Sequence, residues 1–576
     1  MRDDADAPSL PPAATNAAGR AARPEGRRGG RHGGHLLVEA LAAQGVERAF
    51  LVPGESFLAA LDGMAEGAVT PVVARHEGGA AMMAEATGKV TGRPGVAFVT
   101  RGPGATNASA GVHVARQDST PMVLFIGQVA TDQRDREAFQ EVDHAAFFAP
   151  LAKWSAQVDR PDRLGEYVSR AFYVARSGRP GPVVLALPED VLSAPNDAPA
   201  PPPAALPSGA AAEADLAAIL DRLDRAERPL VIVGGGGWSA EAEAALARLA
   251  ETMRLPVGAS WRRQDRLDNR HPCYVGHVGL GIDPALARRV READVILALG
   301  ARLGEIATSG YTLLDVPVPG QALLHVHPDP SEIGRVFRPE AAAVARADAA
   351  VVQLARAARA PSVDREAWLG AARADHERWS VPEPTPGALR MERVVAHLSE
   401  ALPEGATVAS GAGNYAAFLH RYFVHRGYGA QLAPTSGSMG YGLPAAIAAK
   451  LADPSREVVA LAGDGCFQMT SSEMATAAEH GLGIVVLVAD NGMYGTIRMH
   501  QERHYPGRVS GTRIRNPDFA ALARAHGAWA AAVEADDAFP DALAAARAAA
   551  AEGRPALLHL RLDPRAVAPR MALDAP

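Results

Sequence analysis

The chain has 576 residues and a net charge of −7, with 48% apolar and 21% charged residues, the balance of a soluble globular enzyme long enough for several domains. Mild acidity, with no long basic run after the N-terminus, argues against a nucleic-acid or membrane-binding surface, and no apolar run reaches membrane-spanning length. The two cysteines, Cys273 and Cys466, are too few for a disulfide framework or a thiolate zinc site and fit a reducing compartment, so a cytoplasmic location is expected.

Residues 1–34 end in "RPEGRRGGRHGGH" and contain no apolar stretch of the secretory kind; a disordered, weakly basic tail is expected. Two Pro/Ala-rich breaks, 194–209 ("APNDAPAPPPAALPSG") and 361–387 (containing "VPEPTPG"), divide the rest into segments 35–193, 210–360 and 388–565. The first has the short β-rich runs "PVVA", "GVAFVT" and "PMVLFIG"; the second "PLVIVGGGG", "DVILALGAR" and "LLHVHPD"; the third "EVVALAGDG", "GIVVLVADNG" and "PALLHLRLD". Continuous apolar runs separated by helical stretches predict an α/β protein with three doubly wound parallel sheets, whose ligands bind beyond the carboxyl ends of the strands.

In the first segment Glu77 follows the strand around Val72–Ala74 and precedes an Ala/Met-rich helix; alone it would be a dipole-favoured first-turn acid. The loop "GPGATN" (Gly102 to Asn107) comes next. In the second segment Gly234–Gly237 follows a strand, but Ser239 stands where a dinucleotide fingerprint would have its third glycine.

The third segment is the most informative. The strand Val458–Ala462 runs into Gly463-Asp464-Gly465, "TSSE" (Thr470 to Glu473) matches a capping box, Gly481 suits a helix C-cap, and a second strand ends at Asp490-Asn491-Gly492. The right-handed crossover rule makes the two strands parallel, so Asp464 and Asn491, 27 positions apart, meet at one sheet edge. A carboxylate and an amide oxygen there suit a hard cation such as Mg²⁺, and the glycines admit a diphosphate to backbone N–H groups.

Here the sequence resembles the thiamine-diphosphate (ThDP) enzymes, whose diphosphate motif is GDG, some two dozen residues, then Asn. The resemblance implies Asp464, Asn491 and the carbonyl of Met493 as metal ligands, with Gly463, Gly465 and Cys466 at the cofactor. It makes Glu77, within "RHE", the glutamate that exchanges a proton with the cofactor's aminopyrimidine, and Pro103 and Asn107 contacts over that ring. Met439, in "SGSMGYGLPAAIAA" and 25 positions before Asp464, resembles the bulky residue that bends the cofactor; Gly411, Asn414 and Gly437 are further contacts.

The acetolactate synthase branch is the nearest in kind, through "VPGES", "RHEGGA", "GPGATN", "AFQEVD" and "MGYGLPAAI". That branch implies a 2-oxo-acid substrate and a homodimer or homotetramer, with Glu77 and Asp464 meeting across a subunit interface. It also carries FAD in the middle domain. Gly234–Gly237 and Gly300-Ala301-Arg302 resemble its flavin contacts, whereas "GARLGEIATSG" and "ASWRRQDRLDN" depart from them, so FAD stays open. On the substrate side Phe139, Gln140 and Lys153 persist, Ala130-Thr131-Asp132 replaces an expected Pro-Arg-Arg, and His500 stands where a Trp is expected. Gln140 and His500 are the candidate substrate residues, His500 because imidazole exchanges protons near neutrality. Arg498, His500 and Glu502 together would also suit a solvated helix face. A decarboxylase or hydroxy-ketone lyase of the same superfamily, a non-catalytic ThDP-binding protein and a dehydrogenase built on the middle domain remain alternatives.

Overall fold

A computed structural model describes residues 30–574. The first unit has strands β1 (Arg48–Leu51), β2 (Thr70–Val73), β3 (Gly95–Val99), β4 (Met122–Gln128), β5 (Trp154–Gln157) and β6 (Pro182–Pro188), paired in the order β2-β1-β3-β4-β6-β5. The central unit has β7 (Pro229–Val233), β8 (Val257–Ser260), β9 (Tyr274–Val278), β10 (Val295–Leu299), β11 (Ala322–His327) and β12 (Ala341–Val344), in the order β12-β11-β10-β7-β8-β9. The third has β13 (Thr407–Ser410), β14 (Gln431–Leu432), β15 (Val458–Gly463), β16 (Val485–Asp490), β17 (Trp529–Val533) and β18 (Ala556–Arg561), in the order β14-β13-β15-β16-β18-β17. All strand pairs within the three sheets are parallel. The inner strands β3, β4, β7, β10 and β15 are buried at every position, which is why their sequences are apolar rather than alternating, Gln128 at the end of β4 excepted. The three doubly wound sheets expected from the sequence are therefore present, and the first and third share one strand order.

The first and third units also share a core. The Ala-rich helices Glu77–Thr91 and Gly442–Ala452 pack together, burying Ala80, Ala84, Ala445 and Ala448 in one cluster, while the central sheet has cores of its own. Small side chains are what let these helix axes approach closely.

The expected tail of residues 1–34 lies outside the described residues as far as residue 29, but its end is ordered. A helix opens at Gly33 (Gly33–Ala43), because Leu36, Leu37, Ala40 and Leu41 form a face that the first core buries. Among the described residues no helix is long and apolar enough to cross a membrane.

Several histidines are buried as neutral groups. Burial pushes His144, His327 and His425 down to about 4 and His376 down to about 3, from an ordinary 6.5. Below pH 6.5 the unfolded chain takes up protons that the folded chain refuses, so their contribution, complete above 6.5, is lost as pH falls towards 4. Each costs up to about 1.4 kcal/mol per pH unit over that window. Thermal melts should therefore be level from pH 8 to 7 and fall progressively from 6.5 to 5; an unchanged melting temperature at pH 5 would contradict it.

Candidate active site

Strands β15 and β16 lie side by side with Gly463 opposite Ala489, so Asp464 and the Asp490-Asn491 pair leave the sheet together at its carboxyl edge. Asp464 is 3% exposed. Its Oδ1 accepts the Gly465 N–H at 2.8 Å; its Oδ2 accepts the Gly492 N–H at 3.0 Å and the Asn516 amide at 2.8 Å. Burial raises the carboxyl to about 6 despite these donors. Gly492 sits at φ +68°, a left-handed conformation that turns its N–H to Asp490 Oδ1 as well, at 3.0 Å. Burial opposes ionisation of Asp490, but hydrogen bonds from His559, Asn516 and Gly492 outweigh it and hold that carboxyl below its ordinary value.

Beside this edge is a cavity of about 240 Å³, lined by Asp464, Asn491, Met493, Asn414, Gly437, Met439, Gly463, Gly465 and Cys466 among others, all from the third unit. Gly411 lies just behind, its backbone against the Cys466 sulfur, which also accepts the Tyr415 hydroxyl and the Gly440 N–H at 3.2 Å each. A side chain at Gly463 or Gly465 would meet the rings of Tyr415 and Tyr494 at 2.8 and 2.6 Å, so the floor admits only backbone. The Met493 carbonyl accepts one hydrogen bond, from Gly495 N–H at 2.9 Å, and keeps a second lone pair. Asp464 is the one charged side chain among the described residues lining the cavity. Asp464, Asn491 and Met493 all line the cavity, and a carboxylate, an amide and a carbonyl oxygen are the donor set of a hard cation, so the residues present fit Mg²⁺. With no Lys or Arg lining the cavity, a diphosphate could sit beside Asp464 only with a cation between them.

A second group lies in the first unit and does not line that cavity. Glu77 opens the helix Glu77–Thr91, and its Oε2 accepts the Asn107 amide at 3.0 Å. Pro103 lies in the first turn of Gly102–Asp118, and the Gln140 carbonyl accepts the Gly102 N–H at 2.9 Å, with Gln140 itself at φ +62°. Glu77, Pro103, Asn107 and Gln140 are thus neighbours of one another and not of Asp464. His500 is brought to neither group: it is exposed on the helix Gly495–His504, stacked on His504 at 6.2 Å. Arg498, beside it, is not on a solvated face; it is buried and ion-paired with Glu502.

The capping box at "TSSE" does not form. Thr470 donates its hydroxyl to the Gly440 carbonyl, and the helix Glu473–Glu479 starts without a side-chain cap. Glu473 leaves its own unit instead and is fully buried. Its carboxylate accepts the N–H groups of Arg75 and His76 at 3.1 Å, directly before Glu77, and the Thr476 hydroxyl at 2.7 Å. Gly79 makes this possible: a Cβ there would stand 2.4 Å from Glu473 Oε1. Gly481, at φ +59°, does cap the helix end. Sequence reasoning missed Glu473 and Asn516 as site residues; the carboxylate in "TSSE" was visible but assigned to its own helix, and nothing in the spacing marks Asn516.

In the central unit the glycine turn and Arg302 are engaged by the protein itself. The Gly234 carbonyl accepts the Trp238 indole N–H, the Gly235 carbonyl accepts Arg263 Nε, and a Cβ on Gly236 would be 2.4 Å from the Ser119 carbonyl. Arg302 is tied to Glu332 and to the Gln117 carbonyl. The glycine turn borders two adjoining cavities, of about 300 and 120 Å³, which share Asp118, Ser119 and Arg263 in their linings.

Comparison with known proteins gives the family. Residues 31–147, 216–361 and 411–560 match the N-terminal TPP binding, central and C-terminal TPP binding domains of thiamine pyrophosphate enzymes. The chain belongs to the thiamine pyrophosphate enzyme family. Within it, the chain falls in the acetolactate synthase branch. It is 34% identical to an acetolactate synthase large subunit of Parasynechococcus marenigrum over 86% of this chain and 82% of that one. It is 31% identical to a probable acetolactate synthase large subunit of Methanocaldococcus jannaschii over 93% of both chains. An acetolactate synthase large subunit of Corynebacterium glutamicum is 31% identical over 92% of this chain and 86% of that one.

Proposed function

We propose that the protein is a ThDP- and Mg²⁺-dependent carboligase acting on 2-oxo acids, similar to acetolactate synthase, cytoplasmic, and assembled as a homodimer or homotetramer with its sites between subunits. The observation that carries this is the single carboxylate, Asp464, in a cavity walled in part by glycines and with no cationic side chain among the described residues. Asp464, Asn491 and the Met493 carbonyl would hold Mg²⁺; Met439 and Asn414 would fix the orientation of the thiamine. When bound, ThDP supplies the electron sink that lets a 2-oxo acid lose CO₂ and its carbonyl carbon attack a second carbonyl. Glu77, kept in place by Asn107 on one side and the Glu473-held loop on the other, holds and returns the proton at a pyrimidine ring nitrogen. Glu77 does not line the Asp464 cavity of its own chain, which supports a site completed by a second subunit. Gln140 and His500 are proposed to face the substrate in that assembly. No step involves FAD.

The test is cofactor identification on the purified protein followed by a panel of 2-oxo acids read for CO₂ and products. Bound ThDP, no visible flavin absorbance, and acetolactate from pyruvate are expected. Acetaldehyde without acetolactate would make the protein a simple decarboxylase, and ThDP binding without CO₂ release from any 2-oxo acid would make it a non-catalytic binder.

A further inference from the structure

Behind the proposed cation site is a chain of polar side chains drawn from four separated parts of the sequence. Gln468 Nε2 donates to Asn516 Oδ1 at 2.8 Å, which fixes the Asn516 amide with its nitrogen facing the sheet edge. That nitrogen donates to Asp464 Oδ2 at 2.8 Å and to Asp490 Oδ1 at 2.7 Å, one hydrogen to each carboxylate. Asp490 Oδ2 in turn accepts His559 Nε2–H at 2.8 Å, from strand β18 beside β16. Asn516 is itself anchored, two residues before Asp518, whose carboxylate caps the helix Phe519–Ala525 through the N–H groups of Ala520 and Ala521.

The arrangement has a definite physical consequence. Two carboxylates share one edge, and without a donor between them they would repel and turn apart. The Asn516 amide and the Gly492 N–H bridge them, which fixes the Asp464 rotamer and leaves its remaining lone pairs for the cavity. A carboxylate ligand held by an outer hydrogen bond loses less freedom when it takes the ion, and Asp490 adds negative charge behind it. We propose that Asn516, supported by His559 through Asp490, is a positioning residue that sets the divalent-cation affinity of the Asp464 site. This rests on the proposed cofactor reading above and extends it to residues that never touch the cofactor.

The measurement is Mn²⁺ binding in the presence of ThDP, counted by electron paramagnetic resonance on the full-length protein, with Mg²⁺ competing. Asn516→Ala is expected to weaken Mg²⁺ and Mn²⁺ by about 10- to 100-fold. Turnover at saturating Mg²⁺ and ThDP should stay within about threefold of wild type, a split that a general loss of stability would not produce. His559→Leu should weaken the cation in the same direction by less, and His559→Gln, which keeps a donor, should restore it; these two variants carry the test should Asn516→Ala not fold. Cation affinities within twofold of wild type in the folded variants would overturn the proposal. A wild-type protein that binds no cation with ThDP, or whose binding survives Asp464→Ala, would overturn the cofactor reading instead.

Discussion

Replacing Asp464 by alanine is expected to abolish Mg²⁺-dependent retention of ThDP and to lower turnover by more than about 100-fold, a greater loss than for any outer-layer residue. The reason is electrostatic. The cavity holds one charge, negative and buried, and no cationic side chain. A diphosphate entering beside Asp464 meets repulsion in a poorly solvated site, and only a bridging cation changes the sign of that interaction. Chelation of the wild-type protein with EDTA should reproduce the effect, and added Mg²⁺ should reverse it for the wild type but not for the variant. Asp464→Asn keeps the shape and one oxygen while removing the charge, and should fall between the two. An Asp464→Ala protein that keeps its ThDP after dialysis would refute the assignment of this cavity.

The second large effect concerns Glu77. Glu77→Gln retains the size of the side chain but cannot carry a proton, and should reduce turnover by about 10²- to 10⁴-fold, the range associated with losing a general acid–base group. Its ThDP and Mg²⁺ affinities should change little, since Glu77 lies outside the cavity proposed for the diphosphate. The placement of the two residues makes a sharper version possible. If Glu77 serves the Asp464 cavity of a partner, a mixed dimer of Glu77→Gln and Asp464→Ala chains has one site with both defects and one with neither. Unfolding and refolding the two inactive proteins together should then restore about a quarter of wild-type activity, since half of randomly paired dimers are mixed. No recovery, with mixed dimers demonstrated by differential tagging, would mean that each chain completes its own site.

The meeting of Asp464 and Asn491 at one sheet edge was legible in the sequence because a strand–helix–strand unit leaves few choices. Once β15 and β16 are parallel neighbours, GDG and Asp490-Asn491 must emerge at one edge, and the structure puts Gly463 opposite Ala489. The strands were legible for a related reason: buried parallel strands are apolar throughout, as in "VVALAG" and "VVLVA". Contacts between units were not legible, because no periodicity records them. Glu473 satisfied the capping-box pattern yet spends its carboxylate on backbone almost four hundred positions away, on Arg75 and His76. Asn516 precedes a proline in an irregular segment and becomes significant only when the short helix after β15, the end of β16 and strand β18 bring Gln468, Asp490 and His559 around it. Asp490 is accommodated in the same way: His559 Nε2 stands opposite and donates a hydrogen bond to its Oδ2.

The meeting of Glu473 with the loop before Glu77 also restricts how this sequence can drift. The carboxylate fills the space that any side chain at position 79 would need, and it takes the N–H groups of Arg75 and His76. Position 79 is therefore not free to become alanine while position 473 is glutamate. Loss of the glutamate alone would strand buried amide donors. The two sites can change only as a pair, with a replacement that supplies both the volume and the acceptor. Across descendants of this chain they should be inherited as a unit, although one belongs to the unit of Glu77 and the other to the unit of Asp464.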